Sequence, residues 1–514
     1  MDSNSPVAQS ARKEEGVLGN APLPVRLEQK NPHEGTSASV TGRHQGIKGQ
    51  GCGGFGDPAA PEREARPEPL SIMDPEAGDL SAGDANSKRA RTDALSACRH
   101  LQPGGGADAR PRVVHVSQKD LGQLKGETAH IIELARALWS EGAEVEVLVP
   151  AVGRYPDEVP FRIRYLPALG APRLARLVSF ELSLAFFFLT RPLLPRRAQV
   201  YVRKGVLLHS ALLAARLMGR PAILEVNETD QEPAQFHKLP QRFLPFLRLL
   251  SRAAFKMSGH IIAVSKGMRE WVLSNGASPG KVEVVPNAAD PELFRPMSKS
   301  ACCQALGLDE RFRWICFVGA MEFWQGLEVL LQAMASVAQE KEEARLMLVG
   351  PGSQRASLLR QAEELGIADR VVLAGAVARR TVPLCIGASD ICVAPVIAAE
   401  HCPIKVFEYL ACERPVVASD IPAIAEVLKA SGSGWLSKPG CPKDLAAKML
   451  EALNTSDAEK SEMGRHGRQV VVERYSWRSV ARRVLNNAGW SWMGQADSVP
   501  GSPVGGSVNL KRKG

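Results

Sequence analysis

Two successive series of short β-branched runs, each followed by a helical stretch, constrain this chain more than any other feature. The first series opens at Arg112-Val113-Val114-His115-Val116. A loop with Gly122 and Gly126 follows, then Thr128 to Ser140, where Ile131, Leu134, Ala135 and Leu138 recur at helical spacing. Gly142 closes that helix, and Val145 to Val149 predicts the next strand. Val200 to Val202, Ala222 to Val226 and His260 to Val264 continue the alternation. After Pro296 the pattern restarts. Trp314 to Val318 predicts a strand, Leu327 to Glu340 a helix, Leu346 to Val349 a strand and Gln354 to Leu365 a helix. Val371 to Leu373, Ile391 to Ala394 and Pro415 to Ala418 supply further strands. Alternation of this kind folds as a parallel sheet with helices on both faces. Two such series, joined near residues 295–312, predict two open α/β sheets whose strand C-termini face a shared cleft.

The length of 514 residues allows more than one core, since single cores stop growing near ~250–300 residues. Residues 1–110 are rich in Gly, Pro, Ser, Ala and charge, and are expected to be disordered, as are 491–514. Between them the expected domains are 111–296 and 297–490, with the last helix, 470–490, packing back on the first domain. Within the first tail, Lys88-Arg89-Ala90-Arg91 reads as a solvated basic run, and Met73 is an alternative start. The net charge of +9 is modest for this length. It fits a membrane surface or an anionic substrate without pointing to nucleic acid. Ten cysteines occur without a CxxC pair, and most, such as Cys316, Cys385, Cys392 and Cys412, fall in apolar runs. That suits buried thiols in a reducing compartment. Leu174 to Leu189 is too short for ~20 residues of hydrocarbon core and is interrupted by Arg176 and Glu181. The N-terminus lacks the basic-then-apolar pattern of a signal peptide. The expected location is cytoplasmic.

The segment Glu400-His-Cys-Pro-Ile-Lys-Val-Phe-Glu408-Tyr-Leu-Ala carries the most chemistry. Pro403 suits the first turn of a helix, where its missing N–H costs nothing. That helix holds Lys405 and Glu408 three residues apart, roughly on one side. Its N-terminus offers free amides and positive dipole character, which suit a diphosphate. In this reading Glu408 accepts hydrogen bonds from ribose hydroxyls and Glu400 faces the sugar. Spacing alone fits an amphipathic surface helix with a fortuitous glutamate pair equally well.

Glu400 and Glu408, seven residues between them, resemble the paired-glutamate signature of the family-4 (glycosyl transferases group 1) retaining glycosyltransferases. Pro403 to Ala411 followed by Arg414 to Asp420 is similar to that family's donor-binding helix and next strand. Other similarities fall in the family's order: Lys125-Gly126, Tyr201-Val202-Arg203, Leu224 to Asn227, Val264-Ser265-Lys266, Val285 to Asp290, Phe294-Arg295-Pro296, Leu348 to Gly352 and Ala388-Ser389-Asp390. Each is weak alone, and the ordered set is specific. The resemblance implies a GT-B fold, two Rossmann-like doubly wound domains facing across a cleft. It implies a sugar moved from a nucleotide-diphosphate sugar to an acceptor with retention of configuration. Donor contacts are implied for Gly319, Gln325, Gly350, Ile404, Lys405 and Glu408, a catalytic position for Glu400, and acceptor-side places for Gly126, Glu225 and Asn227.

One departure from the family stands out. The family commonly places Gly-Arg and, a few residues on, Lys-Gly where this chain has Gly319-Ala320 and Gln325-Gly326. Two cations that touch the donor diphosphate are therefore replaced. This opens a second reading, a catalytically weak nucleotide-sugar-binding subunit; a GT-B sugar-nucleotide epimerase is a third. No GxGxxG or phosphate-loop motif suggests a nicotinamide or P-loop enzyme. No Asp-x-Asp occurs in the region expected to be ordered, so no metal and no cofactor is expected beyond the nucleotide-sugar co-substrate. A lone helical His130 reads more readily as packing than as a cleft residue, and His401-Cys402 is too small for a metal site. Gln241 to Met257 alternates Phe and Leu with Arg242, Arg248, Arg252 and Lys256. It suits a half-buried helix or a bilayer surface presenting a lipid-linked acceptor. A glycan, a lipid-linked sugar or a small molecule all remain acceptors, with peripheral membrane contact as one expectation.

Overall fold

The computed structural model describes residues 110–123, 125–191, 198–231 and 240–489. The expected disordered tails, with their basic runs, lie outside the described residues apart from Arg110.

The first sheet holds β1 (Arg112–Val116), β2 (Glu144–Pro150), β3 (Arg162–Leu166), β4 (Ala198–Arg203), β5 (Ile223–Val226), β6 (His260–Ala263) and β7 (Val282–Val284). Their order is β3-β2-β1-β4-β5-β6-β7, parallel throughout. In register, Val116, the last residue of β1, lies opposite Leu148 of β2 and Val202 of β4. Alternate side chains divide between the faces, as the two-residue period of a strand requires. Val113 joins a core under α1 (Gly126–Ser140), while Val114 and Val116 join one under α2 (Arg173–Thr190), α3 (His209–Leu217), α4 (Leu244–Met257) and α5 (Lys266–Ser274).

After α6 (Lys299–Leu306), the second sheet is built from β8 (Arg313–Val318), β9 (Ala344–Val349), β10 (Val371–Gly375), β11 (Ile391–Ala394), β12 (Val416–Ser419) and β13 (Gly434–Ser437). Its order is β10-β9-β8-β11-β12-β13, again all parallel. One face is covered by α7 (Leu327–Glu340), α8 (Arg355–Glu364) and α12 (Pro442–Asn454). The other is covered by α6, α9 (Val382–Gly387), α10 (Ile404–Ala411), α11 (Pro422–Ser431) and part of α13 (Asp457–Arg474). This is the GT-B architecture: two doubly wound parallel sheets.

The chain passes between the sheets twice, and the two passages pair. Ala289 N donates to Tyr475 O at 3.0 Å, and Trp477 N donates back to Ala289 O at 3.1 Å. After the return, α14 (Trp477–Asn487) lies on α1, and its Trp477, Val480, Ala481, Val484 and Leu485 belong to the first domain's core.

Three strands were not singled out from sequence: β3, β7 and β13. Each is the edge of its sheet and each is largely half-buried. Such strands read as mixed rather than continuously apolar. Strand β3 is RIRYL, and Arg164 reaches Glu146 of β2 at 2.7 Å. A second difference concerns Pro403. It holds extended angles (φ −71°, ψ 123°) one position before the first helical residue, Ile404.

Candidate active site

The cleft is floored by the C-terminal ends of β8 and β9 and the start of α10. Each strand ends in a glycine at positive φ, Gly319 at +146° and Gly350 at +138°. A Cβ on Gly350 would stand 2.2 Å from Gly319 O, so the two loops pack backbone to backbone. A Cβ on Gly319 would meet Lys405 Nζ at 2.6 Å. The missing side chain is therefore the niche into which Lys405 extends.

Lys405 is 7% exposed. Its Nζ donates to Gln325 Oε1 at 2.6 Å and lies 3.8 Å from the centroid of the Phe317 ring. Burial pushes its ammonium down to about 7, against the opposing pull of Glu408. Four expected donor residues, Gly319, Gln325, Gly350 and Lys405, thus come together. Ile404 begins α10 and turns toward the first domain's core.

Glu408 follows one turn along α10, buried at 3% exposure. Its Oε1 accepts from Arg379 Nη2 at 2.5 Å. The same guanidinium also donates to Glu133 Oε1 on α1 of the other domain and lies 4.6 Å from the Phe294 ring centroid. Burial raises the Glu133 carboxyl to about 7 in spite of Arg379, and Glu408 adds to the rise. Burial disfavours the Arg379 charge, yet the two carboxylates outweigh it and hold the proton more firmly than usual.

Glu400 is half-buried in the loop before α10. Its carbonyl accepts from Ser265 Oγ at 2.8 Å, and that hydroxyl also caps α5 by accepting from Met268 N. Further along the loop, Cys402 O accepts from Asn287 Nδ2 at 2.6 Å. The first domain therefore grips the Glu400 loop at two points. Lys125, the N-cap of α1, reaches Glu322 of the β8 loop at 3.4 Å.

On the acceptor side the expected residues separate. Gly126 is exposed at the start of α1 with open space around it. Glu225 is 2% exposed and pairs with His130 Nε2 at 2.6 Å, with Arg203 3.9 Å away. Burial works to raise the Glu225 carboxyl, but His130 and Arg203 outweigh it and hold it at about 2. The carboxylate can only accept, so His130 Nε2 carries the proton. Burial lowers the affinity of His130 for a second proton. Both side-chain polar atoms of Asn227, His130 Nδ1 and Asn287 Oδ1 are buried without a hydrogen-bond partner.

Glu133 and Arg379 were not singled out from sequence. Arg379 sits just past β10, and loops after strand C-termini are where an open α/β sheet places its ligand contacts. That position was the available signal. His130, read from sequence as packing, is both: its ring meets Trp477 edge-on at 4.7 Å, and it is bonded to Glu225.

Residues 302–470 match the family described as Glycosyl transferases group 1, and residues 125–293 match Glycosyltransferase Family 4. The chain belongs to the group 1, family-4-like glycosyltransferases of GT-B fold. It is 31% identical over 213 residues to a D-inositol 3-phosphate glycosyltransferase from Segniliparus rotundus, a stretch covering 41% of this chain and 47% of that relative. The chain thus spans about half the length of that relative. A longer match, 25% identical over 415 residues, links it to an MMP alpha-(1->4)-mannosyltransferase from Mycolicibacterium hassiacum, covering 73% of this chain and 97% of that one. Among solved structures, a sucrose-phosphate synthase from Thermosynechococcus elongatus matches with a TM-score of 0.61 at 18% identity, over 73% of this chain and 98% of that one. Anabaena HepE in complex with UDP and glucose matches with the same TM-score and identity, over 74% and 100%. At these identities the structures speak for the fold.

Proposed function

We propose that this chain moves a sugar from a nucleotide-diphosphate sugar to an acceptor hydroxyl, with retention of configuration and without a metal. The observation that carries this reading is the meeting of Gly319, Gly350, Gln325 and Lys405 at the N-terminus of α10, in a chain of this family. The diphosphate lies over the two glycines, where a side chain would block it, and is met by the free amides of α10 and by Lys405. Glu408 accepts from the ribose hydroxyls. As the bond from the anomeric carbon to the diphosphate breaks, negative charge grows on the leaving oxygen beside Lys405. The acceptor hydroxyl attacks from the same face, and its proton passes to the departing phosphate. Glu400 orients the sugar, its loop fixed by Ser265 and Asn287. The acceptor lies on the first domain near Gly126 and the end of β5, where Asn227 holds unpaired polar atoms. HepE, whose structures hold UDP and UDP-glucose, is consistent with a nucleoside diphosphate donor. Eight free cysteines among the described residues, seven of them buried, suit a reducing compartment.

A second reading, a nucleotide-sugar-binding subunit with little turnover, is favoured by Ala320 and Gln325 and by the Arg379 contact on Glu408. Incubation with a panel of labelled sugar nucleotides separates the two. Transfer to added glycan, lipid-linked or small-molecule acceptors, with the product's anomeric configuration read by NMR, supports the transferase. Donor binding without transfer or hydrolysis supports the subunit, and epimerised donor overturns both.

A further inference from the structure

The layer formed by α2, α3 and α4 covers one face of the first sheet, and its own outer face is unlike the rest of the described surface. Helix α2 turns Leu177, Phe180, Leu184, Phe187 and Phe188 inward. On its opposite side Leu174, Val178, Leu182, Phe186 and Leu189 recur about once per turn, with exposures of 59, 45, 66, 68 and 79%. A helix with apolar stripes on two opposite faces buries only one of them here, and the other borders solvent. Neighbouring α3 adds exposed Leu213 and Leu217, and Phe246 and Leu249 are exposed on α4. Eleven of the fourteen exposed large hydrophobic side chains among the described residues fall between Leu169 and Leu249. Nine of them lie on these three helices, which pack side by side, rather than in the usual scatter.

Among the described residues, the exposed charges on α2, α3 and α4 have one sign. Arg216 on α3 and Arg248, Arg252 and Lys256 on α4 are exposed, as is Arg242 just before α4. Neither α3 nor α4 contains an acidic residue. The acid of α2, Glu181, accepts from the backbone N of Ser210 at the start of α3 at 2.7 Å. Exposed apolar side chains beside cations are what an anionic lipid surface accepts: the side chains enter the acyl boundary while the cations meet the headgroups. Two copies of this face would instead bring like charges together. Among the described residues no helix is long and apolar enough to cross a membrane, so the contact lies along the surface. We propose that the α2–α3–α4 face docks the protein on an anionic bilayer. This rests on the patch and not on the transferase reading, since the face lies on the side of the sheet and the cleft at its strand ends.

The test is co-sedimentation of the full chain with phosphatidylcholine vesicles with and without phosphatidylserine. The wild type should bind the phosphatidylserine vesicles, bind the neutral ones weakly, and release as salt shortens the screening length from ~8 to ~3 Å. Leu182→Ser with Phe186→Ser should lower the partition constant by about ten-fold or more, because two apolar side chains no longer leave water. Arg248→Glu with Arg252→Glu should abolish the preference for phosphatidylserine. All four positions are exposed, so the variants should keep the wild-type melting curve and nucleotide affinity. Absence of binding to phosphatidylserine vesicles overturns the proposal, as does equal binding by wild type and the Leu182/Phe186 variant. A concentration-dependent dimer that the same variant disperses, without vesicle binding, assigns the face to a second copy and also overturns it.

Discussion

Arg379 ties Glu408, on α10 of the second domain, to Glu133, on α1 of the first. One guanidinium thus spans the cleft between the domains and occupies the carboxylate proposed to receive the ribose. A nucleotide entering this site meets an acceptor that already has a donor. Ribose hydroxyls must share Glu408 with Arg379 or displace it, and displacement leaves the guanidinium to Glu133 alone. On the proposed placement of the ribose, the ion pair would couple nucleotide binding to the contact between domains.

Removing Arg379 and removing Glu408 should have unlike effects. Arg379→Met leaves two buried carboxylates facing one another, and breaking a buried pair in this way costs about 3–5 kcal/mol. Urea denaturation should show that loss. Glu408→Ala leaves Arg379 paired with Glu133, so its stability cost should be smaller. It removes a charged acceptor worth ~1.5–3 kcal/mol to the nucleotide. Calorimetric titration with nucleotide-sugar should register the weaker binding. An unchanged affinity would remove Glu408 from the site.

Lys405 gives the binding a pH dependence. Burial sets its folded value at about 7 against an ordinary 10.5, so between those values the unfolded state binds more protons. This residue's contribution makes stability rise with pH over that window. Binding has the opposite sign, because the diphosphate favours the ammonium. Affinity for nucleotide-sugar should fall as pH rises through about 7, and on the alkaline side binding should take up a proton. Titration calorimetry in two buffers of unlike ionisation enthalpy counts that proton, and Lys405→Met should abolish it. A nucleotide-sugar is the right probe because its diphosphate has no ionisation of its own near neutrality.

How far the sequence could be read depended on burial. Strands β1 and β11 and helix α7 were placed to the residue, because a strand buried on both faces is a continuous β-branched run. The edge strands β3, β7 and β13 escaped, since half-exposed positions admit Arg, Glu and Gly. The resemblance to the family singled out Gly319, Gln325, Gly350 and Lys405, all within one domain, and the structure brings the four together. It did not single out Glu133 and Arg379. They are 246 residues apart, and only the approach of the two domains makes them partners. The packing of His130 was legible, and its ring does lie against Trp477; its bond to Glu225 on β5 was not, because nothing near it in sequence marks that partner.

Restoring the two replaced cations tests the diphosphate site directly. Gln325 accepts from Lys405 in the structure, so Gln325→Lys places two ammonium groups side by side. A second cation there pushes the Lys405 ammonium further down, so the unliganded site either holds a repelling pair or gives up a proton. The variant Ala320→Arg with Gln325→Lys should therefore melt earlier than wild type without ligand, and recover more than wild type when nucleoside diphosphate is added. The affinity difference between nucleoside diphosphate and nucleoside should widen about ten-fold, or ~1.4 kcal/mol, since a preorganised cation in a cleft is worth more than one in water. An unchanged difference in a folded variant would mean that positions 320 and 325 do not face the diphosphate.

The last helix makes a prediction about which domain it serves. Trp477 opens α14, is 3% exposed, and packs with α1 in the first domain's core although it follows the second domain in sequence. Trp477→Ala empties a large volume between α14, α1 and the His130 ring, and such truncations cost about 3–5 kcal/mol. Trp477→Phe should cost much less. It keeps most of the ring, and the indole N–H it removes has no hydrogen-bond partner in the core, so no bond is lost with it. Hydrogen exchange locates the damage. For Trp477→Ala, amides of β1, β2 and α1 should lose protection, while those of β8, β9 and β11 keep theirs, because α14 contributes no side chain to the second sheet's cores. Uniform loss across both sheets would mean that the domains unfold as one unit through the paired passages at Ala289 and Ser476. The helix would then serve the junction between the domains as much as the first domain itself.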